Sequence, residues 1–264
     1  MGLDSGAAIA TPSPSMTTPS ITISGILRQT VVWTFSAIYL STMVLVCGLT
    51  AKSRRTSRGP AWVRGWGWGS ARLAGVKIRY TARARAALDE RRSRVLTFNH
   101  CSTLDTLVGG AFLPDGGVLV LKQEFRRLPF LGLATATIGS VFLDRRDRER
   151  AYASLQAAGD RIRDETLQVL IAPEGTRSVD GVVGPFKLGA FHLAYIAKAP
   201  ILPMVMHGNA ELWPPTQLAP TPGTSVVDVL PEIYLDDGDP ESLRAAADAL
   251  REQYRQALAQ GPPD

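Results

Sequence analysis

From Thr30 to Thr50 the chain carries no charged side chain. An apolar run of that length can cross the hydrocarbon layer of a bilayer as one helix. Arg28 precedes it, and Lys52, Arg54, Arg55 and Arg58 follow it. A signal peptide carries its basic residues before the apolar run, so this order does not fit one. The excess of positive charge after the run predicts that everything downstream faces the cytoplasm, at a plasma membrane or a cell inner membrane. Trp62, Trp66 and Trp68, interleaved with Arg64 and several glycines, have the composition of a segment lying in the headgroup layer. Residues 25–74 are therefore expected to form a membrane-associated helical segment, as one span or as a re-entrant pair of shorter helices. The competing reading, a buried helix of a soluble domain, does not explain the basic flank. Residues 1–24, rich in Ser, Thr, Pro, Ala and Gly with Asp4 as their one charge, are expected to be a disordered tail.

From about Gly75 the pattern changes. Val76–Tyr80, Val95–Phe98, Val118–Leu121, Val141–Leu143, Val169–Ile171 and Ile201–Val205 read as short strands. Between them, 128–138, 148–163 and 189–198 read as helices, the second with Tyr152, Leu155 and Ile162 on one face. Residues 226–234 are strand-rich. Asp239-Pro240 opens a last helix with Leu243, Ala247, Leu250 and Tyr254 in one stripe. Ser102 reads as the N-cap of a further helix, and the basic run from Arg83 to Arg94 reads as a solvated face. Strands alternating with helices predict an α/β domain over residues 75–264, with a largely parallel central sheet flanked by helices. Two cysteines far apart, Cys47 and Cys101, indicate neither a disulfide framework nor a zinc site, and no metal is expected. The net charge of +5 is modest, and no nucleic-acid partner is expected.

The stretch Phe98-Asn99-His100-Cys101-Ser102-Thr103-Leu104-Asp105 carries the chemistry. Five residues on one regular helix separate two side chains by about 140°. His100 and Asp105 can meet only if His100 sits before the helix and Asp105 in its first turn. An imidazole held that way turns Nδ1–H to the carboxylate and leaves Nε2 to accept a proton. That is a general base without a nucleophile of its own, so the nucleophile would be a substrate hydroxyl. The bland alternative is a capping box in which Asp105 only satisfies the helix start.

In an open α/β sheet, ligands bind beyond the carboxyl ends of the strands. Four strands here end in polar groups: Asn99-His100, Lys122, Asp144-Arg145, and Glu174 through Arg177. Lys122, Arg145 and Arg177 together would hold a phosphate.

These residues resemble the glycerophospholipid acyltransferase family, most closely its bacterial lysophosphatidic acid acyltransferases. Asn99 to Asp105 matches the family's His-x4-Asp block, Gly139 to Arg145 resembles the second, and Ala172-Pro173-Glu174-Gly175-Thr176-Arg177-Ser178 the third. Ala172 stands where the family usually has Phe. Phe186 to Gly189 and Pro200 to Met204 match the blocks downstream.

The resemblance implies acyl transfer from a thioester, on coenzyme A or an acyl-carrier protein, to the free hydroxyl of lysophosphatidic acid, giving phosphatidic acid. It makes 75–264 an acyltransferase domain, His100 the base and Asp105 its orienting acid. Lys122, Arg145, Glu174, Gly175, Thr176 and Arg177 would bind the acceptor's phosphate and glycerol. The Gly175 amide is a candidate oxyanion donor, and no cofactor is required. The acceptor could instead be glycerol 3-phosphate, another lysophospholipid or a lyso-aminolipid. Two readings compete from outside the family: a hydrolase using Cys101 or Ser102 as nucleophile, although Ser102 lacks a Gly-x-Ser-x-Gly elbow, and a membrane-bound lipid carrier without turnover.

Overall fold

Strand β2 (Arg94–Phe98) runs up the middle of the sheet: four of its five residues are buried, and each of its faces meets a different layer of helices. Val95 points into one core and Leu96 into the other, as successive residues of a strand must. The computed structural model describes residues 22–50, 59–128, 131–143 and 148–263. The greater part of the expected tail, the basic cluster from Lys52 to Arg58, and Asp144 and Arg145 lie outside the described residues.

The other strands are β1 (Val76–Tyr80), β3 (Gly117–Lys122), β4 (Val141–Leu143), β5 (Gln168–Ile171), β6 (Ile201–His207) and β7 (Gly223–Val229). They form a seven-stranded sheet in the order β1-β7-β6-β2-β5-β3-β4. Every neighbouring pair is parallel except β6 and β7. The expected α/β sheet is therefore present, with one antiparallel junction. β5 and β6 are buried along their whole length, which is why they read as uninterrupted apolar runs rather than as alternations.

On one face lie α1 (Ile23–Thr50), α2 (Gly59–Leu73) and α4 (Asp105–Ala111), packed on Leu96, Leu170, Met204 and Met206. On the other lie α6 (Arg148–Glu165), α7 (Gly189–Ala197) and α9 (Pro240–Gln260), packed on Val95, Val169, Ile171 and Val205. α9 begins as its sequence indicates. The Asp239 side chain accepts from the amides of Glu241 and Ser242, and Leu243, Ala247, Leu250 and Tyr254 are its buried stripe.

Several local expectations change. The basic run after β1 is partly a helix, α3 (Ala82–Asp89), capped by Thr81. Several of the run's charges are paired rather than merely solvated. Arg83 meets the buried Asp228, and Arg94, 1% exposed, meets Glu90 and Glu232. The helix expected over 128–138 narrows to α5 (Leu131–Thr137), after a 3-10 turn at Gln123–Arg127. β7 begins three residues before the expected run and stops at Val229; beyond Pro231 only Ile233 pairs, with Ile201. A short α8 (Asn209–Leu212) had no counterpart in the sequence reading.

By length and composition α1 could cross a membrane, and only 22% of its most apolar window is buried. It pairs with α2 through aromatic and small polar contacts. The Tyr39 ring meets Trp62 edge-on, and the Trp66 indole N–H donates to Ser36 Oγ at 3.0 Å. α2 in turn lies against α4 at backbone contact. A Cβ on Gly67 would stand 2.3 Å from the Ala111 nitrogen and 2.5 Å from the Leu107 carbonyl oxygen. Since backbone cannot yield as a side chain tip can, Gly67→Ala is expected to lose about 1–3 kcal/mol of stability. Thermal melting in detergent would show this as a lowered midpoint, with a larger loss than for Gly189→Ala, where a Cβ meets nothing within 4 Å.

Candidate active site

The register of the parallel strands puts four chain segments at one end of the sheet. The pairings Thr97↔Ile171, Leu119↔Leu170 and Lys122↔Leu143, continued past the strand ends, bring Asn99, Pro173, Lys122 and Leu143 to the same height. Neighbouring strands are about 4.8 Å apart, so β2 and β3 are separated by about 10 Å across β5. His100 follows β2, Glu174 to Arg177 follow β5, and Lys122 ends β3. Arg145, which follows β4 in sequence, lies outside the described residues.

His100 leaves the sheet just before α4, and Asp105 is the first residue of α4. The two meet with His100 Nδ1 3.1 Å from Asp105 Oδ2. Asp105 is 0% exposed, whereas the imidazole is 22% exposed and packs edge-on against Phe98. Among the described residues nothing bonds Nε2. Asp105 Oδ2 also accepts the Ser102 amide at 2.7 Å, so the capping and orienting roles fall on the same oxygen. Asp105 Oδ1 accepts from Asn209 Nδ2 at 2.8 Å.

Ser102 does not cap α4. Leu104 occupies the N-cap position, while the Ser102 hydroxyl accepts the Leu104 amide and donates to the Trp213 carbonyl. The loop is braced again where Asn99 bonds the main chain of Met206 in both directions, at 3.1 and 2.8 Å. These bonds turn the exit of β2 sharply and aim the imidazole outward.

The third motif folds beneath and beside this loop. Ser178 N–H donates to His100 O at 2.9 Å, and Arg177 donates to Thr103 Oγ1 at 2.7 Å. Thr176 and Arg177 are exposed, and Lys122 is half-buried. Glu174 lies under the His100 main chain. It is 4% exposed, and its Oε1 accepts the His100 main-chain N–H at 3.0 Å. The Gly175 amide donates to Ala172 O at 3.1 Å, closing a turn that ends at φ +72°, so it does not stand as an open oxyanion donor. Among the described residues there is no group of three or more His, Cys, Asp or Glu that could hold a metal.

The geometry removes both rival nucleophiles. Cys101 is buried, and burial pushes its thiol up to about 12, far from thiolate at neutral pH. Ser102 is fully buried, with its hydroxyl engaged twice. Sequence reasoning missed Asn99, Asn209 and the Trp213 carbonyl as supports of the loop. Gly208-Asn209, directly after a strand, is the kind of pair that marks a turn, and that was the only signal.

An imidazole backed by a buried carboxylate, at the carboxyl ends of a mostly parallel sheet, is the layout of an α/β enzyme site. The Acyltransferase family profile matches residues 77–207. Over 158 residues the chain is 35% identical to the 1-acyl-sn-glycerol-3-phosphate acyltransferase alpha of Mus musculus, covering 60% of this chain and 55% of that one. It is 30% identical over 182 residues to the acl-1 protein of Caenorhabditis elegans, covering 69% and 70%. The crystal structure of the 1-acyl-sn-glycerophosphate (LPA) acyltransferase PlsC from Thermotoga maritima superposes with a TM-score of 0.73 at 20% identity, over 92% of this chain and 99% of that one, which establishes a common fold. This chain belongs to the acyltransferase family. It spans little more than half the length of the mouse relative and of the Saccharomyces cerevisiae 1-acyl-sn-glycerol-3-phosphate acyltransferase, 55% of each.

Burial, partly offset by the bond from the His100 main chain, raises the Glu174 carboxyl from 4.5 to about 7. The folded state then holds a proton that the unfolded state has released, and stability falls as pH rises from about 4.5 to about 7. The span is worth on the order of 3 kcal/mol. Glu174→Gln keeps an acceptor for the His100 amide and cannot ionise. Denaturant titrations across this window are expected to show a flatter pH dependence for the variant and a gain over wild type above pH 7.

Proposed function

We propose that the protein is a membrane-bound acyltransferase that moves a fatty acyl group from an acyl thioester to the free hydroxyl of lysophosphatidic acid, giving phosphatidic acid. The observation that carries this reading is the His100–Asp105 pair at 3.1 Å, with the carboxylate sealed and the imidazole edge open, in a chain of the acyltransferase family. The named relatives add the acceptor: they are 1-acyl-sn-glycerol-3-phosphate acyltransferases.

In the proposed reaction the acceptor hydroxyl lies at His100 Nε2. As its oxygen attacks the thioester carbonyl, the proton passes to Nε2, and Asp105 balances the imidazolium that forms. The tetrahedral intermediate collapses, the C–S bond breaks, and the thiolate leaves with the proton from Nε2. Products are an ester and a free thiol, on coenzyme A or an acyl-carrier protein. The thioester is already activated, so the reaction calls for no cofactor or metal. Arg177, exposed beside the loop, with Lys122 and Arg145, supplies the positive charge for the acceptor phosphate.

A lysolipid acceptor requires the site to reach a bilayer. The first turns of α1 expose Ile23, Ile26 and Leu27, and Arg28 donates to the Pro220 carbonyl at 3.1 Å. Residues 214–220 lead straight from Trp213, whose carbonyl holds the catalytic loop. Lipid at α1 would therefore lie close to the His100 end of the sheet, with the catalytic domain in the cytoplasm.

Purified protein in detergent, given lysophosphatidic acid, glycerol 3-phosphate and other lysolipids, each with a labelled acyl thioester, tests the proposal. Labelled phosphatidic acid from lysophosphatidic acid is expected. His100→Ala should lose nearly all turnover while still binding acceptor. Arg177→Ala should raise the acceptor KM sharply with a smaller change in kcat. Cys101→Ala should keep most activity. Full turnover by His100→Ala would overturn the reading, and preference for another acceptor would correct its substrate.

A further inference from the structure

Asp105 has more structure behind it than a dyad requires. Its Oδ2 is shared between His100 Nδ1 and the Ser102 amide, and these two bonds come from its own loop. The bond to Oδ1 comes from elsewhere in the chain. Asn209, 1% exposed, stands at the start of α8 and donates from Nδ2 at 2.8 Å. Gly208 before it has φ +83°, a conformation that lets the chain leave β6 and turn Asn209 back under the loop. The amide can face the carboxylate only through its NH2, since two oxygens would repel. The Asn209 Oδ1 has no hydrogen-bond partner. A buried amide that gives up one of its own bonds to hold a carboxylate is badly accounted for as packing, because an apolar residue of the same size would leave no such deficit.

We infer that Asn209 is a positioning residue of the acyl-transfer site: it fixes the rotation of the Asp105 carboxylate so that Oδ2 stays on His100. A carboxylate held only at Oδ2 can swing about its Cβ–Cγ bond, whereas one held at both oxygens cannot. α8 completes the grip through the Trp213 carbonyl, which takes the Ser102 hydroxyl at 2.7 Å and the Thr103 amide at 3.3 Å. This role rests on His100 being the base, as proposed above.

Two variants of nearly unchanged size test it in the full-length protein. Asn209→Leu removes the donor. Its kcat is expected to fall about 10- to 100-fold, the range for losing a hydrogen bond to a charged group, while the KM of both substrates changes less than about threefold. Asn209→Asp places a second carboxyl against Asp105. Two such groups at 2.8 Å share one proton over a wide pH range, and the protonated one still donates. This variant is expected to run near wild type until the shared proton is lost, then to decline as pH rises. Wild type has Glu174 as a titrating carboxyl near Asp105, so the decline of Asn209→Asp is read as its departure from the wild-type profile measured alongside. Asn209→Leu within twofold of wild-type kcat would overturn the inference, as would a wild-type pH profile for Asn209→Asp. So would an effect of Asn209→Leu confined to the acceptor KM. His100→Ala separates the two claims: if it is inactive while both Asn209 variants behave as wild type, only the positioning role fails; if it is active, the base itself is wrong.

Discussion

A carboxylate with no exposure to solvent has to be surrounded by donors, and this requirement shapes the site. Taking the Asp105 charge out of water costs several kcal/mol, which only hydrogen bonds and an opposite charge can offset. Its donors come from the loop after β2, from the turn into α4 and, across the chain, from α8. The last of them is not placed until the sheet has assembled, because α8 follows β6 and β6 pairs with β2. The dyad is thus a tertiary object. Its sequence is eight residues long, but its geometry depends on a hundred residues' separation being closed.

The parallel sheet does the rest. In β2, β5, β3 and β4 all carboxyl ends point the same way, so each crossover delivers a polar strand exit to one edge. The registers then set heights: Asn99, Pro173 and Lys122 fall level. An imidazole and a cation can flank one small headgroup without any loop having to reach across the domain. The antiparallel pair β6–β7 lies on the other side of β2 and serves a different purpose, carrying the α8 support and burying Asp228 against Thr81 and Arg83.

The strands and most helices were legible because burial on two faces forces long apolar runs, and because Asp239-Pro240 and the stripe from Leu243 to Tyr254 are local signals. The His-x4-Asp spacing was legible for a stronger reason: helical geometry leaves one way for five residues to bring the pair together. What local signals could not show was which polar groups would be buried. Arg94 sits in a basic run and looks solvated, yet Glu232, far along the chain, draws it inside. Nothing local to Glu174 shows that the height of Pro173 beside Asn99 sets its carboxyl under the His100 main chain. Ser102 has the look of an N-cap until Trp213 claims its hydroxyl. In each case the deciding partner is remote in sequence.

The placement of α1 bears on how a lipid hydroxyl could reach a base held this rigidly. Withdrawing a lysolipid from a bilayer costs about 0.8 kcal/mol for each CH₂ exposed, so full extraction would add a large barrier before any chemistry. A dyad fixed from both sides cannot move out to meet its substrate; the substrate has to be offered at the right height. The turn at Ile23–Arg28 is tied through Pro220 and Trp213 to the very loop that carries His100. With its exposed isoleucines and leucine in lipid, that turn would hold the His100 edge near the headgroup layer, where the acceptor's hydroxyl and phosphate already lie. Under the proposed reaction, rigidity of the base and anchoring at the surface would be two parts of one solution: the lipid would keep its chain in the bilayer, and only its headgroup would enter the site.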